Sequence, residues 1–198
     1  MTEEQLLKVT VGKPPQELNA PITLVEYDPN WPKLFIREAQ RISKILGPKA
    51  FQIEHVGSTA IPGIVAKPII DIDLVVANSA DEQSYIPDLE AAGYTLRIRE
   101  PDWHEHRLLK GPDTNINLHV FSQGSSEVER NLVFRDWLRT HPEDKILYAS
   151  TKQELAKQNW KYVQGYADAK SKVVETIIAR ARASSSRRHS PSFQPETP

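Results

Sequence analysis

Two carboxylates set two residues apart in an apolar run are the first place in this chain where chemistry could happen. Asp71 and Asp73 lie among Ile69, Ile70, Ile72, Leu74, Val75 and Val76. Alternate side chains of a strand share a face, so the pair points one way, with roughly 7 Å between Cα atoms. Two ionised carboxylates on a buried strand repel each other and lose solvent, which a cation or basic partner must offset. A divalent metal, Mg²⁺ or Mn²⁺, meets both needs because it takes carboxylate oxygens and leaves positions for phosphate. Just upstream, Gly57-Ser58 reads as a turn whose backbone amides and hydroxyl could hold that phosphate, and Lys67 falls between turn and strand. The competing reading is plainer: a charge at the solvent end of a strand, beside a common type of turn.

Further candidates stand on neighbouring segments. Asn117 and His119 alternate with Ile116, Leu118 and Val120, so the polar pair shares one strand face and the apolar residues share the other. A neutral imidazole at His119 can ligate a metal, with Zn²⁺, Mn²⁺ or Fe²⁺ suiting it better than Mg²⁺, or act as a general base near neutral pH. Lys67, Arg107 and Lys110 flank these strands as candidates for phosphate or carboxylate recognition, the arginine as a planar fork and the lysines as point charges. Weaker signals are His55 at a strand end, the run His104-Glu105-His106, and Arg135 with Arg139, which share a helix face.

These residues need elements to hold them. Ile22 to Tyr27 reads as a first strand, and DPNWP as a turn in which Asp28 or Asn30 caps a helix over Pro32 to Leu46. Phe51 to Val56 and Ile69 to Val76 read as strands. A helix is expected over Ala80 to Ala92, kinked or split by Pro87. Tyr94 to Arg99, Arg107 to Lys110 and Ile116 to Phe121 read as three short strands. The pattern then turns helical: Val128 to Thr140, Pro142 to Lys157 and Trp160 to Ala183. Residues 1–20 read as a flexible arm, with Gly12, Pro14 and Pro15 discouraging regular structure, and residues 184–198 as a disordered serine- and proline-bearing tail. The order predicts an α+β domain over residues 21–183, a mixed sheet with helices followed by a helical subdomain.

The stretch EHVGSTAIPGIVAKPIIDIDLVV resembles the signature block of the GrpB family, which is assigned to the nucleotidyltransferase superfamily. Residues 105–156 and the segment WKYVQGYADAKSKVV are similar to further blocks of that family, so the resemblance runs over roughly Ile22 to Ala183. It implies a nucleotidyltransferase-like fold. In such folds a later strand supplies a third carboxylate beside the Asp-x-Asp strand; here, as in the GrpB pattern, His119 takes that place. Tyr162 and Lys170 match the family block and are expected to border the pocket. Some relatives are fused to dephospho-CoA kinase, which hints at a coenzyme-A-like ligand.

Composition narrows the partners. With 198 residues and a formal net charge of −1, the chain gives no global reason to bind nucleic acid or an anionic membrane. No apolar run is long enough to span a bilayer, and the N-terminus lacks the features of a secretion signal. The absence of cysteine excludes disulfides and thiolate catalysis and agrees with a cytoplasmic location. The expected function is a metal-dependent, nucleotidyltransferase-like enzyme acting on a phosphate-bearing small molecule. The alternatives are acid/base chemistry on a small metabolite, with His119 as base, and a non-catalytic ligand-binding protein.

Overall fold

A computed structural model describes residues 1–188. Its centre is a five-stranded mixed sheet in the order β1-β2-β5-β4-β3, formed by β1 (Gln52–Val56), β2 (Ile70–Val76), β3 (Thr95–Glu100), β4 (His106–Lys110) and β5 (Ile116–Ser122). β2 and β5 run parallel and the other neighbours antiparallel. The chain therefore leaves β2, builds β3 and β4, and returns to lay β5 beside β2. The two longest strands, β2 and β5, lie inside the sheet, where a strand can be covered on both faces.

One face of the sheet is apolar. Ile70, Ile72, Leu74, Val76, Leu109, Leu118 and Val120 pack against Trp31, Ile42 and Leu46 of α2 (Trp31–Leu46) and Leu89 of α3 (Ile86–Ala91). Burying each such side chain contributes about 1.5–3 kcal/mol, so this layer is the principal core. The expected helix over Ala80 to Ala92 is divided: a 3₁₀ turn covers Glu82–Ser84 and α3 begins only at Ile86. Pro87 sits in the first turn of α3, where a missing N–H costs nothing.

After β5 come α4 (Ser126–Thr140), α5 (Pro142–Ala156), α6 (Val163–Ala169) and α7 (Ser171–Arg188). Ser125 caps α4 by accepting the Glu127 N–H, and Pro142 opens α5. Phe134, Leu138, Tyr148, Ile177 and Ile178 close a second core over Ile61 and Ile64, which follow the Gly57-Ser58 turn. The helical unit is thus bolted onto the loop that the site uses. The single helix expected over Trp160 to Ala183 is broken at Lys170 into α6 and α7, and α7 runs past Ala183 to Arg188. The tail expected over 184–198 is helical as far as 188; the remainder lies outside the described residues.

Two other expectations are corrected. Ile22 to Tyr27 is no strand of the sheet: Val25 makes a lone bridge to Ala66, while Ile22 packs with Ala156 and Tyr166. Nor is the N-terminal segment free of structure. Thr2 and Gln5 form a reciprocal capping box on α1 (Glu3–Val9), Leu6 is buried, and the Val11 N–H donates to Arg97 O at the sheet edge. Among the described residues no helix is long and apolar enough to cross a membrane.

Candidate functional site between the sheet and the helices

The second face of the sheet is polar at its centre. Register places Asp71 opposite Asn117, Asp73 opposite His119, and Lys110 across Asn117 on the far side of β5. All five side chains rise on the same face, as strand alternation requires. Asn117 Nδ2 donates to Asp71 Oδ1 at 2.7 Å, and Lys110 donates in turn to Asn117 Oδ1. His119 Nε2 stands 3.8 Å from Asp71 Oδ1, an ion-pair rather than a hydrogen-bond distance.

The two carboxylates differ in environment. Asp73 is fully buried; its Oδ2 accepts from Asn131 Nδ2 of α4 at 2.9 Å, and its Oδ1 has no hydrogen-bond partner. Burial pushes its pKa up to about 6 against the pull of His119 and Asn131. Asp71 goes the other way. Burial raises it, but His119, Asn117 and Lys67 together hold it below the usual value. His119 is raised above its ordinary value: burial lowers it, and Asp71 and Asp73 outweigh that.

Gly57 is the hinge of the turn above Asp71. Its φ of +67° suits glycine, and a Cβ built there would come within 2.4 Å of Asp71 Oδ2. The missing side chain is what lets backbone and carboxylate share the space. Ser58 follows, and its Oγ accepts from Lys152 Nζ of α5 at 2.8 Å; the same ammonium also donates to Val65 O. Lys152 is buried against the Tyr148 ring. Lys67 and Lys170 both approach the Tyr166 ring, at 5.7 and 4.6 Å.

Four lysines therefore ring the carboxylate face. Burial lowers every one of them, Lys67 to about 8 and Lys152 to about 7, with Asp71 opposing the shift in each case. Cations crowded together in a partly dry pocket are short of negative charge. A polyanion bound beside Asp71 would supply it.

Sequence reasoning placed Asp71, Asp73, Gly57, Ser58, Lys67, Lys110, Asn117 and His119 here, and the fold brings all eight together. It does not bring Arg107. That residue alternates onto the apolar face, opposite Val120, where it donates to Glu82 at 2.6 Å. His55 pairs with Ile72 on that same face, stacks on Phe35 and contacts Thr59; burial lowers its pKa to about 4. Glu105 pairs with Arg107 and His104 is exposed. Tyr162 is committed to Glu3. Arg135 braces Glu54 and His55 O of β1, and Arg139 holds Ala60 O. Three participants had escaped notice. Lys152 occupies the buried stripe of α5 with Tyr148 and Ala156, at i, i+4 and i+8, where an apolar residue is the norm. That misfit was a readable signal. Asn131 and Glu100, the partner of His106, carry none in sequence.

The donors suit a hard divalent cation. The buried Asp73 Oδ1 has no partner, and Gly57 lets the backbone pass close to the Asp71 carboxylate, so the two acids carry negative charge that such an ion would offset. Among the described residues no three His, Asp or Glu side chains are already gathered as a ligand set. Asp71 and Asp73 would thus be the residues to hold the ion, with His119 Nε2 3.8 Å from Asp71 Oδ1.

Comparison with known proteins bears on the family and the fold. The family model described as GrpB protein matches residues 21–180. A UPF0157 protein of Halalkalibacterium halodurans is 63% identical over 182 residues, covering 92% of this chain and 93% of that one. The crystal structure of the conserved protein GrpB from Enterococcus faecalis superposes with a TM-score of 0.69 at 29% identity, covering 80% and 98% of the two chains. A dephospho-CoA kinase of Mycolicibacterium paratuberculosis is 29% identical over 192 residues, covering 84% of this chain and 47% of its own.

Proposed function

The chain belongs to the GrpB family, and on that premise we propose that its carboxylate–lysine pocket is the active site of a cytoplasmic, nucleotidyltransferase-like enzyme. Its substrate is a phosphate-bearing small molecule, a nucleotide, taken with Mg²⁺ or Mn²⁺. The single observation that carries the reading is the juxtaposition of Asp71 and Asp73 on one sheet face with Lys67, Lys110, Lys152 and Lys170, each of which feels the charge of Asp71. Carboxylates alone would suit a bare cation and lysines alone a bare anion. Together they suit a metal-chelated polyphosphate.

Each residue has a part. Asp71 and Asp73 would hold the metal, which when bound would supply charge neutralisation and polarise the phosphoryl group. The Ser58 hydroxyl and Lys152 ammonium, already 2.8 Å apart, bind phosphate oxygens at the turn. Lys67 and Lys170 offset charge that develops on the leaving phosphates. Lys110 and Asn117 keep Asp71 in its rotamer. His119 takes a proton from the acceptor hydroxyl.

A dephospho-CoA kinase among the relatives supports including phosphorylated coenzymes among the ligands screened. The proximity of His119 to Asp71 also favours a second reading, metal-free acid/base chemistry on a small metabolite. Calorimetric titration separates the two. Nucleoside triphosphates should bind at least tenfold more tightly with Mn²⁺ than with EDTA, and Asp73→Asn should remove that difference. Binding of triphosphates indifferent to metal, or no binding of any phosphate ester, would overturn the proposal.

A further inference from the structure

His119 is not alone on its strand. Its Nδ1 lies 3.0 Å from Nε2 of His106, and His106 Nδ1 lies 2.7 Å from Glu100 Oε2. The two imidazoles stack at 5.2 Å between ring centroids, Phe121 stacks on His106 at 5.0 Å, and Trp103 closes the edge. The result is a line running from β3 through β4 and β5 to the carboxylate face: hydrogen bonds join Glu100, His106 and His119, and His119 Nε2 then stands 3.8 Å from Asp71 Oδ1.

The line has a direction. A carboxylate only accepts, so His106 donates from Nδ1 to Glu100. A neutral His106 then has a lone pair at Nε2 and accepts the Nδ1 proton of His119. His119 is left with its Nε2 lone pair toward Asp71. Without Glu100 the opposite sense is equally good: His106 would donate from Nε2, and His119 would carry its proton on Nε2, useless as a base.

The backbone at the head of the line is specialised to keep it. His104 and Glu105 both have positive φ, 53° and 50°, unusual for consecutive residues with side chains. Glu105 O is held there by Ser79 Oγ and by Arg107 Nη1, each at 2.8 Å. That turn delivers His106 to its buried position between Trp103 and Phe121.

We propose that Glu100 and His106 are positioning residues that fix His119 as its Nδ1–H tautomer and present Nε2 as the proton acceptor of the site. The tautomer stands on geometry alone; its catalytic use rests on the function proposed above. In that reaction His119 Nε2 takes the acceptor hydroxyl proton as the oxygen bonds to phosphorus. The leaving phosphate keeps the electron pair of the broken P–O bond. Asp71, Asp73 and Lys110 are the charges that face His119, and Arg107 and Glu100 those that face His106.

Long-range ¹H–¹⁵N spectra of ¹⁵N-histidine-labelled full-length protein, without metal or nucleotide, test the tautomer directly. Signals are assigned by single substitution of each histidine. The expected result is a protonated Nδ1 and unprotonated Nε2 on both His106 and His119. Glu100→Gln, whose amide can donate to His106 Nδ1, should convert His119 to its Nε2–H form, in whole or in part, with the circular dichroism spectrum unchanged. A protonated Nε2 on neutral wild-type His119, or a His119 tautomer unmoved by Glu100→Gln, would overturn the proposal. If Glu100→Gln does not fold, His106→Phe, which keeps the stacked ring and removes the acceptor, should randomise the His119 tautomer; a retained Nδ1–H form would overturn it equally. These spectra do not depend on turnover, so a protein that transferred no nucleotide would leave the tautomer result standing. Where transfer is measurable, Glu100→Gln should lower kcat at least tenfold and leave KM within twofold.

Discussion

A carboxylate with one unpartnered oxygen in a dry site is costly unless something arrives to use it, and Asp73 has that character. Folded Asp73 keeps its proton up to about pH 6, whereas an unfolded aspartate releases it near pH 4. Over that window the folded state binds more protons, so ionisation of Asp73 makes stability fall as pH rises. Asp73→Asn should therefore gain on the wild type between about pH 4 and 6, reaching about 2–3 kcal/mol and staying level above. Urea melts at pH 4.5 and 7.5 measure this; a gap that is the same at both would show that the buried charge is not its source. Mn²⁺ should stabilise the wild type and leave the variant unmoved. Gly57 gives the complementary case. In Gly57→Ala the new methyl would displace Asp71 and force a left-handed alanine, costing about 1–3 kcal/mol and lowering Mn²⁺ affinity at least tenfold. Thermal shift with and without Mn²⁺ reads both effects, and a fully native metal response would contradict the role given to the cradle.

At the scale of elements, what was legible followed periodicity. The alternation around Asp71 and Asp73, and around Asn117 and His119, fixed both central strands and which residues shared a face. The same rule, applied to Arg107, would have placed it on the apolar face opposite Val120; proximity to the site in sequence misled. ITLVEY has strand composition, yet composition carries no information about a pairing partner, and Val25 finds only Ala66. Asn131 reaches Asp73 through tertiary packing of α4, which no local pattern reports. The N-terminal helix belongs to the same class. Its seven residues are too few to be stable alone, so its order depends on what it docks against. Leu6 is buried, Val11 extends the β3 edge, the terminal amine meets Asp168, and Glu3 meets Lys161. Deleting residues 1–11 should then cost about 1–3 kcal/mol, chiefly from the buried leucine and the edge hydrogen bond. Equilibrium denaturation of the shortened chain checks this. An unchanged midpoint would mean that the segment merely rests on the surface.

For the whole molecule, the sheet contributes the acids and the helices and connecting loop contribute most of the bases, so charge balance in the cleft is a property of how the two units pack. The ligand-free protein carries more positive charge there than it can solvate, and pH exposes the imbalance. Lys152 and Lys67 lose their protons near pH 7 and 8 when folded but near 10.4 when unfolded. Between those limits the unfolded chain binds more protons, so stability rises with pH, by up to about 1.4 kcal/mol per unit for each lysine fully in its window. His119, raised in the fold, works against this from about pH 6.5 up to its own folded pKa, and the tyrosines with raised values, such as Tyr148 at about 12, do so only above pH 10. The clean interval is pH 8 to 10. There the melting temperature in phosphate-free buffer should climb, against the decline expected where buried lysines gain partners on folding. Lys152→Met should flatten the climb. Tripolyphosphate must reverse the trend, since it needs the ammonium forms: its stabilisation should be largest near pH 7 and fade by pH 9.5. Thermal denaturation across that range, with and without tripolyphosphate, decides the matter. A ligand-free protein that loses stability steadily from pH 8 to 10 would show that the lysines keep their protons, and that the cleft is not the anion-starved site its packing implies.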